Sequence, residues 1–387
     1  MAGVIMDFDL TEEQSILKDS LERLLADKYG FEDRKRHMAA PEGWSSDMWG
    51  RYAEMGLMAL PFSEEDGGIG GGPVETMIVM EALGKALALE PYFPTVVLGG
   101  GFLRLGGNAD QKAELIPQVA DGSLQLAFAQ VERNSRYDLH HVETAAKKDG
   151  ADFVVTGAKS VVLGGESAGK IFVSARTAGG PRDEHGIGVF LVDADAPGVS
   201  RRSYVTQDGQ RAAEISFDNV RVPAGAAFGD PENALPLVRR VVDQAIAALA
   251  AESVGVMSAM HTLTVDYLKV RKQFGVPIGA FQVLQHKAVD MYVALEQARS
   301  ITLYATMMAD SDDDAERARA AHAAKTEIGR GGRLVGEHAI QLHGGVGMTM
   351  EYAVGHYFKR MTMIDLTLGD HDHHLRALAE AGGLMAA

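Results

Sequence analysis

Ser167 sits at the centre of Gly165-Glu166-Ser167-Ala168-Gly169, the G-x-S-x-G spacing that exposes a nucleophilic serine in a strand-turn-helix elbow. With Gly164 and Lys170 the segment is also one residue short of a phosphate-binding loop, because Ile171 stands where a hydroxyl would hold magnesium. Both chemistries need a helix after the turn. The next residues are Lys170-Ile171-Phe172-Val173-Ser174, which read as a second strand. A serine hydrolase using Ser167 is therefore kept only as the alternative of another class. Gly369-Asp370-His371-Asp372-His373-His374 carries metal-ligand residue types. Adjacent histidines at a helix start diverge, although His371 and His374 share a face. The expectation is an N-capped polar helix start and no metal.

Two other segments suit an extended anionic ligand. Arg271-Lys272-Gln273-Phe274-Gly275 ends one long helix, and Phe281-Gln282 opens the next. An arginine there can neutralise a pyrophosphate, while an aromatic ring and amides beside it hold adenine or ribose. Gln341-Leu342-His343-Gly344-Gly345 ends a third helix, and paired glycines let backbone approach a ligand closely. Taken singly, the two segments also read as ordinary helix C-caps, the first with a surface arginine.

The elements that must carry these residues emerge from periodicity. Thr11 is an N-cap, with Glu13 in the first turn and Ile16, Leu17, Leu21, Leu24 and Leu25 at helical spacing. Further helices are expected from Ser46, over 74–89 and over 110–119. The glycine-rich run 67–72 is preceded by no strand and is expected to be a loop rather than a dinucleotide fingerprint. From about Leu124 the period falls to two, and the runs 153–155, 170–174, 188–192 and 213–222 read as strands. Beyond Pro223 and the loop 224–233, an apolar stripe from Leu235 to Val270 marks one helix of about ten turns. Two more helices reach Asp310 and Leu342, joined by an acidic loop. The expected fold is mainly α with a β insert: an N-terminal helical domain (1–122), a middle β-barrel-like domain (123–232) and a C-terminal four-helix bundle (233–387).

Composition narrows the function classes. A net charge of −16 argues against nucleic acid and against an anionic membrane surface. The chain has no cysteine, which excludes disulfides and thiolate metal sites. No run is judged to approach a membrane span, and the N-terminus lacks the basic flank and apolar core of a signal peptide. The expected compartment is the cytoplasm.

Together, R-x-x-F-G at Arg271–Gly275, F-Q at Phe281-Gln282 and Q-x-x-G-G-x-G at Gln341–Gly347 closely resemble the signature of the acyl-CoA dehydrogenases. The resemblance spans nearly the whole chain, from Phe8-Asp9-Leu10-Thr11 through Pro61 and Thr156-Gly157-Ala158-Lys159 to the last helix. It implies FAD as cofactor, held between the β domain and the bundle with a neighbouring subunit closing over the ADP half. It also implies a homo- or hetero-tetramer, an acyl-CoA thioester substrate, and an electron-transfer flavoprotein or similar acceptor. Arg271, Gln273, Phe274 and Gln282 would then face a neighbour's FAD, with Gln341, Gly344 and Gly345 beside them.

The other half of the family pattern is broken. Val131-Glu132-Arg133 stands for the usual T-E-P and Lys159-Ser160-Val161-Val162-Leu163 for K-x-W-[IF]-[ST], so a threonine, a tryptophan and a final hydroxyl are gone. Removal of an α-proton requires a carboxylate, yet Leu368 stands where E-G-T carries the glutamate. Ala245 occupies the second known base position, and Ile246 the place of a substrate-side arginine. Asp370 and Glu252 are nearby carboxylates at neither base position. Heteromeric members acting on steroid side-chain thioesters pair a catalytic chain with one that lacks the base. The loop 132–137 and the Gly-Asp-x-x-His-His tail resemble that companion subunit. A self-sufficient homotetramer with a relocated base is the alternative.

Overall fold

The computed structural model describes residues 10–383; Phe8, Asp9 and the segment weighed as a leader lie outside the described residues. Thr11 opens α1 (Glu12–Lys28) with a capping box, its hydroxyl accepting from the Gln14 N–H and the Gln14 side chain accepting in return. Helices α2 (Phe31–Ala39), α3 (Ser46–Glu54), α4 (Pro73–Ala86), α5 (Gly100–Gly106) and α6 (Ala109–Ala120) come next. Periodicity does not reveal α2, whose buried residue is the charged Arg34. A π-helical turn, Phe93–Gly99, runs into α5, and Pro94 with the glycines 99–101 at the junction looks like a helix breaker. The run 67–72 lies between a 3-10 turn and α4, with no strand before it.

The middle of the chain is one sheet. Its strands are β1 (Leu126–Ala129), β2 (Ala145–Asp149), β3 (Asp152–Leu163), β4 (Lys170–Arg176), β5 (Ile187–Asp193), β6 (Val199–Val205), β7 (Arg211–Val222) and β8 (Ala227–Phe228). They run in the order β6-β7-β3-β2-β4-β5-β8, with β1 parallel to β4. Strand β3 jumps register against β7 between Lys159 and Val162, leaving Val161 bulged at φ 52°. A β-branched residue in left-handed backbone is strained. This is the residue standing where the family motif has tryptophan.

Helix α7 (Leu235–Val270) crosses the molecule as one 36-residue rod. After it come the short strands β9 (Lys272–Gln273) and β10 (Val276–Pro277), then α8 (Gln282–Met308), α9 (Asp314–His343), α10 (Ala353–Leu366) and α11 (His371–Glu380). By length and hydropathy α7 is apolar enough to cross a membrane, contrary to the expectation that no run qualifies. Yet 78% of its apolar window is buried in the fold, packed against α4, α8, α9 and α10. Its apolarity is that of a core helix. The stripe ends before Val270, which is 72% exposed. Helix α4 meets α7 backbone to backbone: a Cβ on Gly84 would lie 2.2 Å from the Glu252 carbonyl oxygen, and one on Gly255 only 2.0 Å from that of Glu81. No side chain fits at either crossing point.

The three parts of the chain meet at a buried ionic cluster. Arg34 of α2 donates to the Leu87 and Asp208 carbonyls, at 2.9 and 2.7 Å. Asp208, in the β6–β7 hairpin, accepts from Arg360 of α10, which also grips Glu252 of α7. The sheet's hairpin tip is thereby fixed to the helices.

Candidate cofactor arm and substrate cleft

The turn after α7 is a β-hairpin. Phe274 and Gly275 link β9 to β10 with φ of 52° and 81°, the paired positive φ of a type I′ turn. Glycine adopts this freely and phenylalanine does not, so the backbone is bent to present the ring. Phe274 is 91% exposed, and its ring meets Phe281 edge-on at 6.1 Å. Arg271, Gln273 and Gln282 are exposed beside it.

The C-terminus of α9 lies alongside. Tyr267, four residues before Arg271, packs against His343 in a tilted arrangement at 4.5 Å, and Tyr352 packs on His343 at 5.0 Å. Burial lowers the His343 pKa, and its Nδ1 bonds the Ala339 carbonyl at 2.8 Å. This aromatic clamp brings the two signature segments together across 72 residues of sequence separation, counted from Arg271 to His343. Gly344 has φ 61°, and a Cβ on Gly344 or Gly345 would touch nothing within 4 Å. The space over both glycines is open, and Gln341 is exposed at its edge. All seven sequence-picked residues are exposed, and the Tyr267–His343 contact sets the ends of their two helices side by side.

Apart from the arm, Leu368 and Ile246 line a cleft of about 510 Å³ with Leu139, Val242, Asp243 and Arg317. Ala245 is wholly buried and is not among the residues lining it. Leu368 has φ 60°, a costly conformation for a branched side chain. The loop around it is held from beneath by Lys325, fully buried on α9, whose ammonium donates to the carbonyls of Ile364, Asp365 and Gly369, each at 2.7 Å. Burial brings Lys325 down to about 7. His374 bonds the Leu368 carbonyl through Nε2 at 2.9 Å and meets His322 Nδ1 at 2.8 Å. Burial holds both imidazoles below their ordinary pKa, His322 at about 4. Neutral His374 therefore donates from Nε2 and accepts from His322.

The carboxylates noted in the sequence are otherwise engaged. Arg360 takes both oxygens of Glu252. Asp370 N-caps α11, accepting from the His373 N–H at 2.8 Å. Sequence reasoning missed Asp243, which burial raises to about 7 against the opposing pull of Arg317, 3.3 Å away. It lies three residues before Ile246, and that spacing on α7 was the available signal.

The flavin-ring side of the chain fits FAD poorly. Glu132 accepts from Lys159 at 2.8 Å and from the Glu143 and Thr144 N–H groups. Lys159 is fully buried, and burial lowers it to about 8 while Glu132 pulls it back up. These side chains brace the sheet rather than face a ligand. Val161 supplies no aromatic plane, and the Tyr137 ring packs against His373, ring centroids 5.4 Å apart.

Ser167 lies in the turn between β3 and β4, with no helix after it, so no nucleophile elbow forms. His371 turns to Asp365 at 2.9 Å while His374 turns to His322. Among the described residues no three His, Asp or Glu side chains are grouped to hold a metal ion.

Residues 11–123, 127–220 and 236–383 match the acyl-CoA dehydrogenase N-terminal, middle and C-terminal domains. The chain is 30% identical over 352 residues to the acyl-CoA dehydrogenase FadE12 of Mycobacterium tuberculosis, covering 89% of each. It is 29% identical to the probable acyl-CoA dehydrogenase YngJ of Bacillus subtilis, covering 94% of this chain and 96% of that one. A solved variant of the Tcur3481–Tcur3483 steroid ACAD superposes with a TM-score of 0.86 at 31% identity, over 96% of this chain and 97% of that one. A chain of the ChsE4–ChsE5 complex from Mycobacterium tuberculosis shares the fold, with a TM-score of 0.88 at 23% identity over 99% and 100%. With its three domains matched in order and its relatives covered nearly end to end, the chain belongs to the acyl-CoA dehydrogenase family.

Proposed function

We propose that this chain is the companion subunit of a heteromeric acyl-CoA dehydrogenase and lends its arm to a FAD whose chemistry a catalytic partner performs. The observation that carries this is the split between arm residues that are kept and base positions that are lost. Arg271, Gln273, Phe274, Gln282, Gln341, Gly344 and Gly345 stand exposed together, while Leu368 and Ala245 leave both customary base positions without a carboxylate. In this role Arg271 neutralises the pyrophosphate, and Phe274 and Gln282 pack against the adenosine. Bound FAD supplies the hydride acceptor for α,β-dehydrogenation of an acyl-CoA thioester. The partner supplies the base. The solved relative at 31% identity is described as a steroid ACAD formed by two named proteins, which supports a bulky thioester substrate and a tetramer of two chain types. The cytoplasm and an electron-transfer flavoprotein or similar acceptor complete the proposal.

A second reading, a self-sufficient homotetramer, is favoured by one observation. Asp243 lines the cleft with Leu368 and Ile246, and burial places it near 7, where a general base works well. The isolated chain decides between the two. Stoichiometric flavin bleached by an acyl-CoA supports self-sufficiency, whereas flavin and turnover that require a co-expressed partner support the companion role.

A further inference from the structure

The crevice between the middle domain and the start of α11 is divided. On one side lies the cleft of about 510 Å³ at Leu368 and Ile246; on the other lies a cleft of about 360 Å³ lined by Ser135, Arg136, Asp138, Asp370 and Arg376. Tyr137 and His373 line both. Their rings pack at 5.4 Å and form the wall between the two spaces. Tyr137 reaches this place because its loop is tied down. The Glu132 N–H bonds the Ser135 hydroxyl at 2.9 Å, and the Ser135 and Asp138 N–H groups close successive turns onto Glu132 and Ser135. Glu132 is itself anchored by Lys159.

The same place holds more carboxylates than guanidinium groups, which disfavours a phosphate. The N-terminus of a ten-residue helix would ordinarily welcome an anion. That of α11 is already taken by the Asp370 carboxylate, which accepts from the His373 N–H at 2.8 Å. Asp138 and Glu380 add two more carboxylates around the smaller cleft, against Arg136 and Arg376. Burial and the nearby Asp370 charge both raise the Tyr137 pKa, so the hydroxyl stays neutral and the wall uncharged on that side.

We infer that Tyr137 and Asp370 form a built-in closure of this chain's own dinucleotide crevice, Tyr137 by filling it and Asp370 by occupying the helix terminus where a pyrophosphate would bind. The chain is then a one-sided cofactor partner, able to clamp a flavin from outside through its arm and unable to hold one between its own domains. The inference rests on the proposed function only for the identity of the excluded ligand, a flavin dinucleotide.

Its test uses the full-length chain carrying Arg271→Ala, which disables the arm so that only the internal crevice can report. FAD binding is read from quenching of flavin fluorescence. The closure predicts no saturable binding for this background. It predicts saturable binding, at least about tenfold tighter than the weakest affinity the titration resolves, when Tyr137→Ser and Asp370→Asn are added. Asparagine keeps the N-cap while removing the charge, and melting curves report whether the fold is retained. Adding Tyr137→Phe alone should leave the crevice shut, because the ring and not the hydroxyl makes the wall. Stoichiometric FAD on the Arg271→Ala chain, or no gain in the folded double variant, overturns the closure. The companion role is read separately, from turnover of the wild-type chain with and without its partner.

Discussion

Arg360 on α10 holds both carboxylate oxygens of Glu252 on α7, with Nε to Oε1 at 2.5 Å and Nη2 to Oε2 at 2.7 Å. Its Nη1 reaches Asp208 at 2.8 Å. The pair is buried and fully engaged, so Glu252 is a structural anion rather than a candidate base. Breaking one side of a buried pair strands the other charge. Glu252→Ala should cost about 3–5 kcal/mol of stability, read from urea midpoints. A loss below about 1 kcal/mol would show that the cluster is not holding the domains together.

The arm is expected to matter to a ligand and not to the fold. Phe274 and Arg271 are exposed at the hairpin, and surface substitutions away from special contacts usually shift stability by no more than about 0.5 kcal/mol. Phe274→Ala and Arg271→Ala should therefore leave the melting of the isolated chain unchanged. In the assembled complex each should weaken flavin retention about tenfold or more, measured by released FAD after gel filtration. Equal loss of melting temperature and flavin would point instead to a structural hairpin.

Asp243 separates the two functional readings. As a base it is indispensable, and Asp243→Asn should lower kcat by about a hundredfold or more. In a companion subunit the same change should leave turnover of the complex within about twofold. Stopped-flow reduction of the flavin by acyl-CoA reads the chemical step directly.

Glu90 gives a pH signature independent of function. It is buried, accepts from the Ser45 N–H at 3.1 Å and from Tyr29 and Tyr52, and is raised by burial to about 7 from 4.5. The folded state therefore holds a proton that the unfolded chain releases at lower pH. The contribution is fully present below about pH 4.5 and is lost as pH rises through about 7. Glu90→Gln stays neutral and keeps an acceptor for Ser45. Relative to the wild type it should gain about 1–3 kcal/mol between pH 5 and pH 8. A pH-independent difference in urea midpoints would refute the assignment.

Much of this architecture is legible in the sequence where local signals agree with tertiary packing. The Thr11 cap, the strands rich in Val, Ile and Phe, and the stripe on α7 are such cases. Strands β2 and β6 escape notice because Ala-Ala-Lys-Lys-Asp and Val-Ser-Arg-Arg-Ser-Tyr-Val owe their place to neighbours in the sheet, not to their own apolarity. Helix α2 escapes because its anchor is the buried Arg34, which makes sense only once Asp208 and Leu87 are beside it. The arm residues are legible through their motif. The wall formed by Tyr137 and His373 lies beyond any local pattern, since 236 residues of chain separate its two rings.

The central claim is that this chain serves a partner's flavin. The most direct measurement is the absorbance spectrum of the chain purified alone, before and after addition of an acyl-CoA, and the same pair of spectra after co-expression with its partner. The companion role predicts little flavin and no bleaching for the chain alone, and bound flavin that bleaches in the complex. Stoichiometric flavin on the isolated chain, bleached by the thioester, would contradict it.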